Sequence, residues 1–294
     1  MRVQAPAKVN LTLEVTGVES NGYHTLDTLF CWLALEDELY LEPATTTALS
    51  IEADGVSTAL IEDGEENLVL RAHRFVCRKI GRELPTRYRL RKRIPAGGGL
   101  GGGSADAAAC LVGLNSLYRL NLSHDELLDL ARPLGADVAF GLVGGVARGT
   151  RYGDMLQEVD WPEELGELSM ILVFPGVACP TPEVYKIWDQ YPNRVAKGAS
   201  ERFLAATTLD ERLATIVNDL EEPALRLHPA LREVKEAMNR AGLRGVCLSG
   251  SGSTLFGFLS PGGDLEFVRQ ALEMHDVKIV ETRLREARRF ELVS

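Results

Sequence analysis

The sequence predicts an α+β chain of two domains, and three observations carry that prediction. Val9, Leu11, Leu13 and Val15 alternate with Lys8, Asn10, Thr12 and Glu14, the period-two signature of a strand. A dense glycine run at 97–103 lies between a strand-like and a helix-like segment. From residue 169 onward the strand and helix signals fall in the order β, α, β, β, α, β, the split βαβ arrangement.

The elements follow in order. The first strand reads as having one buried apolar face, and Asn21-Gly22 then marks a turn. Strand-like stretches follow at 25–33 and 38–42. Val69, Ala72, Val76 and Ile80 recur at helical spacing, and Gly81 sits where a helix would stop. Residues 87–93 alternate again, with Tyr88 and Leu90 on one face and arginines on the other. A helix is expected over about 104–120, after the glycine run. Ser123 with Glu126 three residues on forms a capping box that opens the next helix. Gly144-Gly145 precedes another strand-like stretch. Residues 160–167 are acidic, carry Trp161-Pro162 and read as a linker, which divides the chain into domains 1–158 and 159–294. Beyond it come a strand at 169–174, a helical middle section, and a helix marked by Leu231, Val234, Met238 and Ala241 and stopped by Gly242. Strands at 244–249 and 254–259, a helix over 265–274 and a strand at 278–282 complete the pattern.

Composition narrows the function. The 32 basic and 42 acidic side chains leave a net charge of −10, which argues against nonspecific binding to nucleic acid or an anionic membrane. No apolar run approaches the roughly 20 residues of a membrane span, and no basic-then-apolar leader opens the chain. The cysteines Cys31, Cys77, Cys110, Cys179 and Cys247 are odd in number and form no CxxC, so they read as reduced thiols in the core. The cytoplasm is the location expected from these features.

The glycine run is the most informative segment. Six glycines in the seven positions 97–103 would be costly in chain entropy for a plain connector. Without side chains, backbone N–H groups can approach an anion closely, and the positive end of the following helix points at the same place. Ser104 is placed to cap that helix or to reach a phosphate or magnesium. A P-loop needs a Gly-Lys dipeptide, and the chain has none. Gly97, Gly99 and Gly102 fit GxGxxG, but the arginine-rich strand before them is not the buried strand of a dinucleotide-binding sheet.

Other polar groups are ambiguous from the residues alone. Lys8 and Asn10 share one face of the first strand, which could line a cleft or face solvent. Asp137, among small and apolar residues, could be the N-cap of a short helix over 138–142, a catalytic carboxylate, or both. Tyr23 and His24 could end a hairpin or hold a ligand. Thr181 and Tyr185 lie in and just after Pro180-Thr181-Pro182, a rigid loop that could present an aromatic ring. Ser249-Gly250-Ser251-Gly252-Ser253 could be a hairpin turn or a second anion-binding loop. No histidine pattern suggests a protein-ligated metal.

Taken in order, Pro6-Ala7-Lys8-Val9-Asn10-Leu11, Gly22-Tyr23-His24-Thr25-Leu26, the glycine run, Gly135-Ala136-Asp137-Val138, Pro180-Thr181-Pro182 and 248–253 resemble the motifs of the GHMP kinase superfamily. The resemblance spans nearly the whole chain. It implies a ribosomal-S5-like N-terminal ATP-binding domain and a C-terminal ferredoxin-like domain, with the last strand able to pack on the first domain. It implies ATP and Mg²⁺, and a triphosphate wrapped by Pro95, Ala96, Gly97, Gly98, Gly99, Leu100, Gly101, Gly102, Gly103, Ser104 and Ala105. It implies Lys8 and Asp137 as the catalytic pair. It implies Asn10, Tyr23, His24, Thr181 and Tyr185 at a small cytidylated substrate of the non-mevalonate isoprenoid pathway. Ala139 and Gly141 depart from the family's usual proline and bulkier residue. The alternatives are a GHMP kinase for homoserine or a mevalonate derivative, a nucleotide-binding regulator without catalysis, and, more distantly, an NAD-dependent oxidoreductase.

Overall fold

The computed structural model describes residues 1–56, 61, 64–161, 163–191, 198–287 and 290–293. Pro162 of the expected linker lies outside the described residues.

Two long strands, β1 (Arg2–Val18) and β2 (His24–Pro43), form the spine of the first sheet. The stretches 25–33 and 38–42 are therefore parts of one strand, bent by bulges and carried through the interruption by its pairing to β1. β3 (Ala48–Ala53) and β4 (Thr86–Lys92) extend the sheet at one edge, and β5 (Val146–Arg151) with β6 (Met155–Glu158) branches from β2. On β4, Tyr88 and Leu90 are buried while Arg87 and Arg89 face outward, as their alternation predicts.

Helices α1 (Leu68–Ile80), α2 (Gly102–Leu117), α3 (His124–Ala131) and α4 (Ala136–Val143) cover one side of this sheet. Gly81 ends α1 in the left-handed conformation at φ 74°, and the Ser123–Glu126 capping box opens α3. Helix α2 begins two residues earlier than expected, with Gly101 rather than Ser104 at its N-cap. The N-cap of α4 is Gly135, so Asp137 lies in the first turn instead of capping it. α2 and α4 cross where a Cβ on Gly141 would stand 2.7 Å from Ala108 Cβ, so a bulkier residue there would push α4, and Asp137 with it, off α2.

In the expected linker, the short helix α5 (Glu163–Gly166) buries Leu165 and sets Gly166 against the Trp161 ring, so this segment is packed. Strand β7 (Met170–Phe174) follows, then helices α6 (Thr181–Trp188), α7 (Ala199–Ala205) and α8 (Leu209–Ala214), the two-residue strand β8 (Val217–Asn218), and helices α9 (Glu221–Leu227) and α10 (Ala230–Arg240). β9 (Arg244–Leu248), β10 (Leu255–Phe258), α11 (Leu265–Leu272) and β11 (Lys278–Thr282) complete the second sheet, ordered β11-β7-β10-β9 with every pair antiparallel. That is the split βαβ topology. The end of the chain returns to the first sheet, where β12 (Leu292–Val293) pairs with β1.

The expectation of one buried face on β1 is corrected. The polar face is buried too, with Lys8 6%, Asn10 2%, Thr12 0% and Glu14 2% exposed. Helix α7 covers its far half, where Thr12 Oγ1 and Ser200 Oγ lie 2.9 Å apart and Glu14 accepts a hydrogen bond from Ala199 N–H. The near half, with Lys8 and Asn10, meets the glycine run. Among the described residues, no helix is long and apolar enough to cross a membrane.

Candidate active site

The glycine run turns between β4 and α2 and lines a cleft of about 590 Å³. Gly97, Gly99 and Gly101 all take positive φ, at 73°, 76° and 66°, which a side chain would resist. No side chain caps α2, so its first N–H groups stay available at the cleft. Residues 95–104 line the cleft, whereas Ala105 is buried behind it.

A second glycine loop, 249–253, locks onto the first. Ser249 Oγ donates to Gly99 O at 3.0 Å, and Thr254 N–H donates to Gly98 O at 3.3 Å. A Cβ on Gly99 would lie only 2.1 Å from Ser249 O. Gly22 also has positive φ, at 82°, but its surroundings are open, so it isolates the conformational cost from the clash. Gly99→Ala is expected to raise the KM for ATP about tenfold while Gly22→Ala leaves it near wild type, as steady-state kinetics would show; equal effects would disprove the interlock.

Lys8 and Asp137 meet at the end of the run. Lys8 Nζ lies 3.4 Å from Asp137 Oδ2 and 2.8 Å from Asn10 Oδ1. Lys8 N–H donates to Leu100 O at 2.9 Å, which ties β1 to the run. A Cβ on Gly101 would stand 3.0 Å from Lys8 Cγ and 3.4 Å from Asp137 Oδ2, and one on Gly250 3.3 Å from Lys8 Nζ. Both glycine loops therefore abut the pair. Bulges in the β1–β2 pairing fall between Pro6 and Lys8 and between Asn10 and Thr12, bracketing the two residues turned toward it.

Beyond Asp137 lies an aromatic cluster. The His24 and Tyr185 rings are 4.4 Å apart, Trp188 meets His24 edge-on at 5.4 Å, and His24 Nε2 is 2.7 Å from Asp189 Oδ1. Burial, and then the Asp137 charge, push the Tyr185 phenol upward. Tyr23 stands apart from these rings, 66% exposed and 5.5 Å from Tyr152. Thr181 Oγ1 lies 2.9 Å from Ser251 Oγ and lines the nucleotide cleft rather than the aromatic cluster.

The cleft also holds groups that sequence reasoning missed. Lys92 Nζ is bound by Asp37 and, at 2.6 Å, by Asp106, and all three side chains are buried. Asp37 also accepts from the N–H groups of Arg93 and Ile94, which fixes the strand end that leads into the run. Burial works to lower the Lys92 pKa, but the attraction of Asp106 and Asp37 outweighs it and the ammonium is held above its ordinary range. Burial pushes the Asp106 carboxyl up to about 8, against the pull of Lys92, with Asp37 adding to the rise. Asn67, the N-cap of α1, and Arg71 line the cleft as well. An asparagine just before an apolar periodic run was the one available signal for this wall.

Among the described residues, His73, Cys77 and Glu83 bring possible metal-ligand atoms within 4.8 Å of one another, outside the cleft. Burial lowers the His73 pKa and raises that of Cys77, and His73 Nδ1 is 2.7 Å from Tyr88 Oη. His73 and Cys77 are thus buried and hydrogen-bonded without an ion, and Glu83 stands exposed beside them.

Two interlocked glycine loops with an ammonium and a carboxylate at their junction are the machinery of phosphoryl transfer to a small molecule, and the class this defines is the GHMP kinases. Residues 67–147 match the family described as GHMP kinases N terminal domain, and 203–276 match GHMP kinases C terminal. The 4-diphosphocytidyl-2-C-methyl-D-erythritol kinase of Rhodospirillum rubrum is 40% identical over 266 residues, covering 90% of this chain and 85% of that protein. The enzyme of that name from Thermus thermophilus is 41% identical over 263 residues, 88% of each chain. A crystal structure of 4-(cytidine 5'-diphospho)-2C-methyl-D-erythritol kinase superposes with a TM-score of 0.76 at 36% identity, covering 96% of this chain and 99% of that one. Homoserine kinase from Cytophaga hutchinsonii, at 20% identity and a TM-score of 0.74 over 98% of this chain and 95% of that one, shares the fold. The chain belongs to the 4-diphosphocytidyl-2-C-methyl-D-erythritol kinase family. It is an ATP-dependent small-molecule kinase.

Proposed function

We propose that the chain transfers the γ-phosphoryl group of ATP to the 2-hydroxyl of 4-diphosphocytidyl-2-C-methyl-D-erythritol, giving the 2-phosphate and ADP in the non-mevalonate route to isoprenoid precursors. The observation that carries the reading is the Lys8–Asp137 pair at 3.4 Å, set against Gly101 of the glycine cradle. Phosphoryl transfer needs alignment and charge neutralisation more than covalent chemistry. The loop amides hold the triphosphate. Asp137 accepts the proton of the 2-hydroxyl as that oxygen attacks the γ-phosphorus, and the bond to the bridging oxygen of ADP breaks. Lys8 orients the Asp137 carboxylate through their contact and offsets charge on the phosphoryl group in flight.

Magnesium fits the donor set. Ser104 and Asp106 are oxygen donors lining the cleft within the first turns of α2, and among the described residues Asp106 Oδ1 is buried without a hydrogen-bond partner. These two residues would hold the ion together with the nucleotide's own phosphates. When bound, it supplies charge neutralisation on the β- and γ-phosphates.

His24 and Tyr185 form the base subsite, and Tyr23 is available from solvent to close over it. Asn10, beside Lys8, and Thr181, on the wall of the nucleotide cleft rather than at the base, are the further contacts proposed for the substrate. The division at 158/159 falls between β6 and β7; one apolar cluster lies almost wholly in the first half and one mainly in the second, and a third, from Val9 and Leu29 to Phe256 and Phe258, packs the two halves together. The location expected is the cytoplasm. A coupled ADP-release assay tests the substrate. Turnover is expected with the cytidylated substrate and not with homoserine or mevalonate; the reverse preference would end the assignment.

A further inference from the structure

Thr28 of β2 is fully buried and does not line the nucleotide cleft, yet it ends a hydrogen-bond chain that begins at Lys8. The direction of each bond in that chain follows from donor counting. Thr28 Oγ1 lies 2.6 Å from the Thr12 carbonyl oxygen, which only accepts, so the single hydroxyl proton is committed there. Thr28 Oγ1 also lies 2.8 Å from Asn10 Nδ2. With its proton spent, the hydroxyl can only accept from that nitrogen. The Asn10 amide must therefore present its NH₂ to Thr28 and its Oδ1 to the opposite side, where Lys8 Nζ stands 2.8 Å away and only donates. Both ends demand the same amide orientation. A flipped amide would set N–H groups against an ammonium at one end and leave the Lys8 proton unmatched.

We propose that Thr28 is a positioning residue for phosphoryl transfer, whose buried hydroxyl fixes the Asn10 amide and through it the aim of the Lys8 ammonium. One Lys8 N–H is tied to Asn10 Oδ1, which leaves the others for Asp137 and the transferring phosphoryl group. The Phe30 ring, 5.6 Å from Lys8 Nζ, flanks the ammonium without offering a directed bond, so Asn10 is the group that sets its orientation from the strand side. This inference rests on the reading of Lys8 as catalytic.

Thr28→Val keeps the shape and removes the hydroxyl. It is expected to lower kcat about tenfold while leaving the KM values for ATP and the cytidylated substrate within about twofold. Thr28→Ser restores the acceptor and is expected to recover most of the lost kcat. In a double-mutant cycle with Asn10→Ala, Thr28→Val is expected to add nothing to the Asn10→Ala loss, because it acts through that amide. An unchanged kcat in Thr28→Val, equal loss in the serine variant, or additive losses in the cycle would each overturn the proposal. If Thr28→Val does not fold by circular dichroism, Thr28→Cys, a weak acceptor of similar shape, takes its place in the same comparisons. Lys8→Met distinguishes the two levels. An inactive Lys8→Met with a fully active Thr28→Val removes Thr28 alone, whereas an active Lys8→Met removes the catalytic reading beneath it.

Discussion

Asp137→Asn is expected to lose about 10²- to 10⁴-fold in kcat, the usual contribution of a positioned base, while ATP still binds. The geometry separates the two functions. Asp137 sits in the first turn of α4 beside Lys8, and it is absent from the cleft lining formed by the glycine run. The substitution keeps the size, removes the charge and the basicity, and replaces one acceptor oxygen with an NH₂ donor. Single-turnover kinetics with a parallel calorimetric titration of an ATP analogue read both quantities. Near wild-type turnover would take Asp137 out of the mechanism. Loss of nucleotide affinity in step with kcat would mean that the residue shapes the cradle instead.

Lys92→Met carries the largest expected effect on stability. Removing one partner of a buried ion pair leaves an uncompensated charge and typically costs about 3–5 kcal/mol. Here two carboxylates are left facing each other, Asp37 at 0% and Asp106 at 2% exposure. Asp106 can take up a proton, since burial already pushes its pKa up to about 8, so the cost should fall toward the lower end of that range. Asp37 keeps the Arg93 and Ile94 amides on its other oxygen, so part of its hydrogen bonding survives the loss of Lys92. Chemical denaturation without nucleotide measures the loss. Asp106→Asn, which leaves Lys92 paired with Asp37, is expected to cost far less. Equal costs for the two variants would show that the ion pairs do not hold the loop entrance.

The part of the site that could be read from the sequence is the part built from local pattern. The glycine run, the capping box at Ser123 and the helix stops at Gly81 and Gly242 each depend on a few neighbouring residues. Lys8 and Asp137 stood out because a period-two strand and an apolar surrounding make a charge conspicuous. Their meeting rested on a family likeness, since nothing in the spacing of positions 8 and 137 dictates contact. The Lys92–Asp37–Asp106 cluster was hidden for the same reason: its members belong to a strand end, a different strand and a helix, and each looks like an ordinary surface charge. The polar face of β1 was misjudged because alternation predicts one covered side, and α7, from far along the chain, covers the other.

The interlock of residues 97–103 with 249–253 has a consequence for how the protein is made. A ribosome delivers the first loop long before the second, and the earlier part of a chain usually begins to fold as it emerges. Until Ser249 and Thr254 have been synthesised, the Gly98 and Gly99 carbonyls lack the hydrogen bonds that those two residues supply, and only contacts such as Lys8 N–H to Leu100 O brace the run. ATP, abundant in any living cell, thus meets the complete cradle only when nearly all of the polypeptide is present, and its full binding energy stabilises the finished chain.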